Sequence, residues 1–184
     1  CLLNKNYLKN KIPQTSKNIK EILIFLGGSD SKNITSKILK IISNIKFEKL
    51  NFKVIIGQNN KKYQYIIKNF SKYKNIDIFF NIDSLTNLIK NSDFIVSSLG
   101  TVLWEIIYFK KPFLGFLQNK NQEINLDYLS QNRHIKICKK VSETKIALHL
   151  LKNKVQLTPK NYGLNIDGKG VFRVKEIIKR AYGK

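Results

Sequence analysis

The sequence predicts an α/β fold, a parallel sheet flanked by helices, and three observations carry that reading. Short apolar runs recur along the chain, as in EILIFL at residues 21–26, FKVII at 52–56 and IDIFF at 76–80. Runs of this kind suit strands buried on both faces of a sheet. Between them lie segments whose apolar residues recur at helical spacing. Glycines and small polar residues fall where the strands end. Strands alternating with helices at this spacing make right-handed parallel units.

Residues 1–20 are polar, with Pro13 and the run QTSKN, and read as a linker or the tail of a preceding segment. Residues 21–184 read as one domain, long enough for a substantial core. After the first strand comes Gly27-Gly28-Ser29-Asp30-Ser31. Two glycines let the backbone come close to a phosphate, and Ser29, Asp30 or Ser31 can cap the helix behind. That helix carries Ile34, Ile38, Leu39, Ile41, Ile42 and Ile45. The second strand closes at Gly57, and Tyr63, Ile66, Ile67 and Phe70 share one face of the next helix. The third strand leads to the turn Asn81-Ile82-Asp83, where Asp83 or Ser84 is the expected cap of a short helix.

Residues 93–97 form the fourth strand, Leu99, Gly100 and Thr101 a tight turn, and 102–109 a helix with one acid, Glu105. Lys111-Pro112 stops that helix. Residues 113–116 are the fifth strand, and Asn121-Gln122 opens another helix. Residues 134–138 are the last strand, 142–151 a helix capped by Ser142, 153–170 a loop, and 171–182 an amphipathic helix.

The stretch around Glu105 has the shape of a nucleotide site. The helix N-terminus behind the turn attracts phosphate, and an acid one turn in can accept hydrogen bonds from ribose hydroxyls. Ligands of open α/β sheets bind at the carboxyl ends of the strands. Glu105 sits among Ile, Tyr and Trp, where an unpaired acid is costly unless solvated or liganded. Gln122 and Asn125 are three apart, as two amides reaching one ligand should be.

Composition bounds the alternatives. No apolar run reaches the length of about 18 residues that a membrane-spanning helix needs. No secretory signal is visible, so the expected compartment is the cytoplasm. Cys1 and Cys138 have no metal-ligand spacing, and no metal or cofactor is expected. The chain begins at Cys1 and contains no methionine, which predicts a fragment or a processed chain. The net charge of +22 fits either an anion-binding surface or a Lys/Asn/Ile compositional bias. The lysines are spread out and arginine is scarce (Arg133, Arg173, Arg180), which disfavours nucleic acid as the partner.

Taken in order, GGSD at 27–30, VIIG at 54–57, FNID at 80–83, SDFIVSSLGTVLWE at 92–105, KP at 111–112, NKNQEIN at 119–125 and IDGKG at 166–170 carry a likeness. The chain resembles the C-terminal, Rossmann-like lobe of GT-B glycosyltransferases of the MurG type. Within that group it is most similar to the UDP-sugar hydrolase of pseudaminic acid biosynthesis and its spore-coat-polysaccharide relatives.

The resemblance implies that Gly27, Gly28 and Ser29 face a diphosphate. It implies that Ile82 offers its backbone to the uracil edge, that Leu99, Gly100 and Thr101 lie near the phosphates, and that Glu105 holds the ribose. Asn121, Gln122 and Asn125 would point amides toward the sugar or diphosphate. Many relatives have a small residue where Leu99 stands, so a less open turn is expected there. The resemblance further implies a full-length enzyme that hydrolyses a UDP-linked amino-deoxy sugar, with its catalytic base in an N-terminal lobe absent here. On that reading the partners are a UDP-sugar and that missing lobe, and this chain alone has no turnover. The alternative reaction is transfer of an amino sugar to a glycan or lipid acceptor. An alternative of another class is a basic module for nucleic acid or anionic surfaces.

Overall fold

A computed structural model describes residue 3, residues 19–45, 47, 49–130, 136–138, 140–142 and 166–182. Within these residues the elements are β1 (Glu21–Phe25), α1 (Ile34–Asn44), β2 (Asn51–Ile56), α2 (Tyr63–Phe70), β3 (Ile76–Phe80) and α3 (Thr86–Asn91). They continue with β4 (Phe94–Ser98), α4 (Val102–Tyr108), β5 (Phe113–Phe116), a 3-10 turn (Lys120–Gln122), α5 (Glu123–Ser130), β6 (Lys136–Cys138) and α6 (Gly170–Tyr182). The strands form one sheet in the order β3-β2-β1-β4-β5-β6, every pair parallel. Strand order reverses between β1 and β4, which opens the crevice where such sheets take ligands.

The apolar runs work as the two-residue period requires. Ile22, Ile24 and Leu26 face one layer with Val54 and Ile56, under Ile34, Ile38, Leu39 and Ile42 of α1. Leu23, Ile55 and Ile95 face the other, with Leu103, Ile106 and Ile107 of α4 and Leu129 of α5. Ile22, Leu23 and Ile24 are fully buried on alternate faces. Each such burial contributes on the order of 2 kcal/mol, which fixes the register of β1 against both neighbours. At the amino end of the sheet, Asp93 Oδ2 accepts the N–H groups of Lys20 (2.8 Å) and Glu21 (2.9 Å), tying β1 to β4.

Several local expectations are refined. Helix α4 ends at Tyr108, and the backbone itself terminates it. Lys110 takes φ 52, its N–H bonds Ile107 O (2.9 Å), and Lys111 N–H bonds Ile106 O (3.1 Å). That pair of bonds is a Schellman ending, made without glycine, and Pro112 follows it. The N-cap position of α3 is Leu85 and not Asp83 or Ser84, and it has no side-chain cap bond; Ser84, one residue earlier, accepts Thr86 N–H at 3.3 Å. The segment at 121–122 is a 3-10 turn that leads into α5. Strand β6 is described only over Lys136–Cys138. Residues 134–135, the expected helix beyond residue 142, the loop up to residue 165 and most of the expected linker lie outside the described residues. No residue of α6 is buried, and Phe172, Ile177, Ile178 and Tyr182 are exposed.

Candidate functional site

Three turns meet above the carboxyl ends of β1, β4 and β5. In the first, Gly27 takes φ 90, which favours glycine, and a Cβ there would stand 3.4 Å from Ser98 Oγ. Gly28 and Ser29 are exposed. On its inner side Gly28 lies against Gly57, where a Cβ would stand 2.4 Å from Gly28 Cα. Asn59 N–H also bonds Gly28 O at 3.1 Å, so the ends of β1 and β2 are packed backbone to backbone. Asp30 closes the turn at φ 42. Its buried carboxylate accepts Ile34 N–H (2.9 Å) and Thr35 N–H (2.8 Å). Of the three candidate caps for α1, Asp30 is therefore the one used. The amides it occupies are already bonded within the protein, while the backbone of Gly28 and Ser29 stays exposed.

The second turn follows β4. Leu99 N–H bonds Phe116 O at 3.0 Å, and its side chain is fully buried. Leu99 Cδ2 is 2.6 Å from where a Cβ on Gly115 would stand. The leucine therefore fills the space that glycine leaves in the core and does not narrow the turn; only its backbone is presented there. Gly100 is half-buried and Thr101 is exposed at the start of α4. Glu105 is half-buried one turn along α4, and Trp104 packs against the layer beneath that helix.

The third turn follows β5 and carries the amides. Gln122 is buried, and its Oε1 accepts Gln118 N–H at 3.0 Å. Its Nε2 lies 3.6 Å from where a Cβ on Gly100 would stand, with no hydrogen bond to it among the described residues. Asn125 Nδ2 donates to Leu99 O at 2.7 Å. Each amide thus spends one end holding turns together, and its other end has no partner among the described residues. Asn121 is exposed. Gln118, which the motif reading passed over, reaches the first turn: Nε2 donates to Asp30 Oδ1 at 2.5 Å and Oε1 accepts Lys32 N–H at 3.3 Å. Ser98 Oγ, equally unremarked, sits between Gly27 and Gly100.

The structure so gathers Gly27, Gly28, Ser29, Leu99, Gly100, Thr101, Gln122 and Asn125, with Glu105 one helical turn behind and Asn121 at the rim. Ile82 stands apart. It follows β3, three strand spacings or about 14 Å from β4, and is half-buried against the layer that holds α4. Its turn is tied to the others in series, since Asn81 N–H bonds Ile56 O at 2.9 Å and Gly57 touches Gly28. Among the described residues no group of three or more His, Cys, Asp or Glu side chains could hold a metal ion. No helix among them is long and apolar enough to cross a membrane.

The family described as Glycosyltransferase family 28 C-terminal domain matches residues 22–180. The Methanocaldococcus jannaschii protein named "Uncharacterized protein MJ1062" is 34% identical over 191 residues, covering 98% of this chain and 36% of that protein. Among solved structures, Acinetobacter baumannii MurG superposes with a TM-score of 0.65 at 16% identity, over 91% of this chain and 51% of MurG. The Methanocaldococcus jannaschii UDP-GlcNAc 2-epimerase, in complex with UDP-GlcNAc and UDP, gives 0.64 at 19% identity, over 96% of this chain and 49% of that one. The chain thus spans about a third to a half of the proteins it matches. At these identities the solved structures establish the fold, a Rossmann-like lobe of the MurG kind. The matches support the broad likeness to glycosyltransferases and not the finer one to the hydrolase.

Proposed function

Since the chain belongs to the glycosyltransferase family 28 C-terminal domain family, we propose that it is the donor-binding lobe of a glycosyltransferase, holding a UDP-linked amino sugar where β1, β4 and β5 end. The observation that carries this reading is the convergence of the three turns, with Glu105 one helical turn behind Thr101. Exposed backbone at Gly28 and Ser29 suits the diphosphate. Glu105 suits the ribose diol, and the remaining ends of Gln122 and Asn125 suit sugar hydroxyls, which both donate and accept. The turn at Ile82 is assigned to the uracil edge. The UDP and UDP-GlcNAc bound by the epimerase neighbour support uridine diphosphate as the ligand chemistry.

In transfer, the bond from the anomeric carbon to the diphosphate oxygen breaks and one from that carbon to an acceptor hydroxyl forms. The hydroxyl proton passes to a base outside this lobe, in the part of the protein that also seats the acceptor. This lobe contributes positioning and N–H groups that stabilise charge on the departing diphosphate. The family match favours this reaction over the hydrolysis first expected.

The test is calorimetric titration of UDP, UMP, ADP and a short DNA duplex at about 50 and 200 mM salt, a range over which phosphate-contact binding falls steeply. UDP ahead of ADP at both salts is the expected result. DNA binding that collapses with salt, without uridine preference, would replace this reading with a basic surface module.

A further inference from the structure

Gln118 is 3% exposed, and every polar group of its side chain is used on one target. Nε2 donates to Leu26 O (3.4 Å) and to Asp30 Oδ1 (2.5 Å), while Oε1 accepts Lys32 N–H (3.3 Å). Leu26 precedes Gly27 and Asp30 follows Ser29, so one carboxamide grips both ends of the Gly27–Ser29 turn. The strand order places β4 between β1 and β5, so this grip reaches across the end of β4. Two neighbours reinforce it: Ser31 Oγ donates to Asn119 Oδ1 (3.0 Å) and Lys32 Nζ to Leu117 O (2.9 Å). The backbone N–H of Gln118 is itself held by Gln122 Oε1.

A turn with two glycines has the weakest local preference of any sequence. The φ of 90 at Gly27 therefore depends on contacts made elsewhere in the chain, while the φ of 42 at Asp30 is also held locally, by Asn33 N–H to Asp30 O (2.7 Å) and by the bonds to α1. Asn59 N–H holds Gly28 O in the middle of the turn; Gln118 is the side chain that holds both of its ends, and its bond to Asp30 is of the stronger, charge-assisted kind.

We propose that Gln118 is a positioning residue of the donor site. It aims the Gly27–Ser29 backbone at the diphosphate and couples that turn, through Gln122, to the amides assigned to the sugar. The proposal rests on the reading of this lobe as a UDP-sugar site. It adds that phosphate and sugar subsites are set by one clamp.

The experiment titrates UDP and uridine into the wild-type chain and into Gln118→Met and Gln118→Asn, with a thermal melt of each. Methionine keeps the volume and removes the hydrogen bonds; asparagine keeps the amide and is too short to reach Leu26 and Asp30 together. The expected result is a loss of UDP affinity of about tenfold with uridine affinity unchanged, because uridine has no phosphate to position. If UDP and uridine weaken together, Gln118 is structural and the inference fails. It fails also if both variants bind UDP as the wild type does. A wild type that does not bind UDP overturns the donor-site reading itself, and the inference with it. Should Gln118→Met melt below the assay temperature, Gln118→Asn carries the comparison.

Discussion

Asp30 Oδ1 lies 2.5 Å from Gln118 Nε2 across 88 residues of chain, and the same carboxylate caps α1. One buried side chain therefore serves local helix formation and long-range closure together. Asp30→Ala removes the cap, a loss of about 1 kcal/mol, and leaves a buried amide without its acceptor, a further loss of about 1–3 kcal/mol. The expected drop is about 2–4 kcal/mol, read as a lower urea midpoint at unchanged slope. Asp30→Asn keeps an acceptor for the helix amides and should lose less. A drop below about 0.5 kcal/mol, the scatter of ordinary surface changes, would show that these bonds contribute nothing net.

Gly28 and Gly57 touch, yet they should respond in opposite ways to the same substitution. A methyl group on Gly57 would stand 2.4 Å from both Gly28 Cα and Gly28 O, which are backbone atoms and cannot swing aside. Gly57→Ala is expected to cost about 1–3 kcal/mol, as overpacking does, and to shift the melting temperature accordingly. A methyl group on Gly28 meets nothing within 4 Å. Gly28→Ala should melt with the wild type and lose UDP affinity, since its methyl group occupies space assigned to the diphosphate. Equal melting and equal UDP binding would remove Gly28 from the ligand-facing surface.

At the start of α6, the Arg173 guanidinium bonded to Asp167, with help from Lys169 N–H, holds the Asp167 carboxyl down at about 2 from an ordinary 3.8. A depressed carboxyl favours the folded arrangement above its ordinary value, and that preference is lost as pH falls through the folded value. The pair should therefore persist at pH 4 and above and release on acidification toward about 2. A carboxyl-detected NMR titration should show the Asp167 midpoint moving back toward 3.8 in Arg173→Ala. Because both side chains are solvated, global stability at neutral pH should not change measurably, and added salt should shrink the shift.

What was legible in the chain was local. EILIFL, FKVII and IDIFF declare buried parallel strands because two-sided burial leaves no polar alternation, and GGSD marks the turn because few other sequences tolerate φ 90. Gln118 was not legible. It stands among Leu117, Asn119, Lys120 and Asn121, in a run that reads as a solvated loop, and it is buried by partners 86 to 92 residues away. The Schellman ending at Lys110 escaped for a related reason. A lysine at positive φ carries no sequence signal, and Pro112 offered a simpler stop. Leu99 reads as an intrusion into the turn until the absent side chain of Gly115 shows where it goes. The spacing of Gln122 and Asn125 suits two amides on one ligand, whereas one end of each is committed to the protein, a division that depends on the neighbouring turns.

Glu105 carries the most direct prediction about chemistry. It is half-buried on α4, one turn beyond Thr101, where a carboxylate could accept from a ribose diol. A hydrogen bond to a charged group is typically worth about 1.5–3 kcal/mol. The wild-type chain should therefore prefer UDP over 2′,3′-dideoxy-UDP by at least about tenfold. In Glu105→Ala that preference should vanish, while the affinity for the dideoxy ligand stays near its wild-type value. The cycle separates ribose recognition from any general damage to the lobe, since damage lowers both affinities together. A preference that survives in Glu105→Ala would move the ribose elsewhere along the strand ends and leave Glu105 as a structural acid of α4.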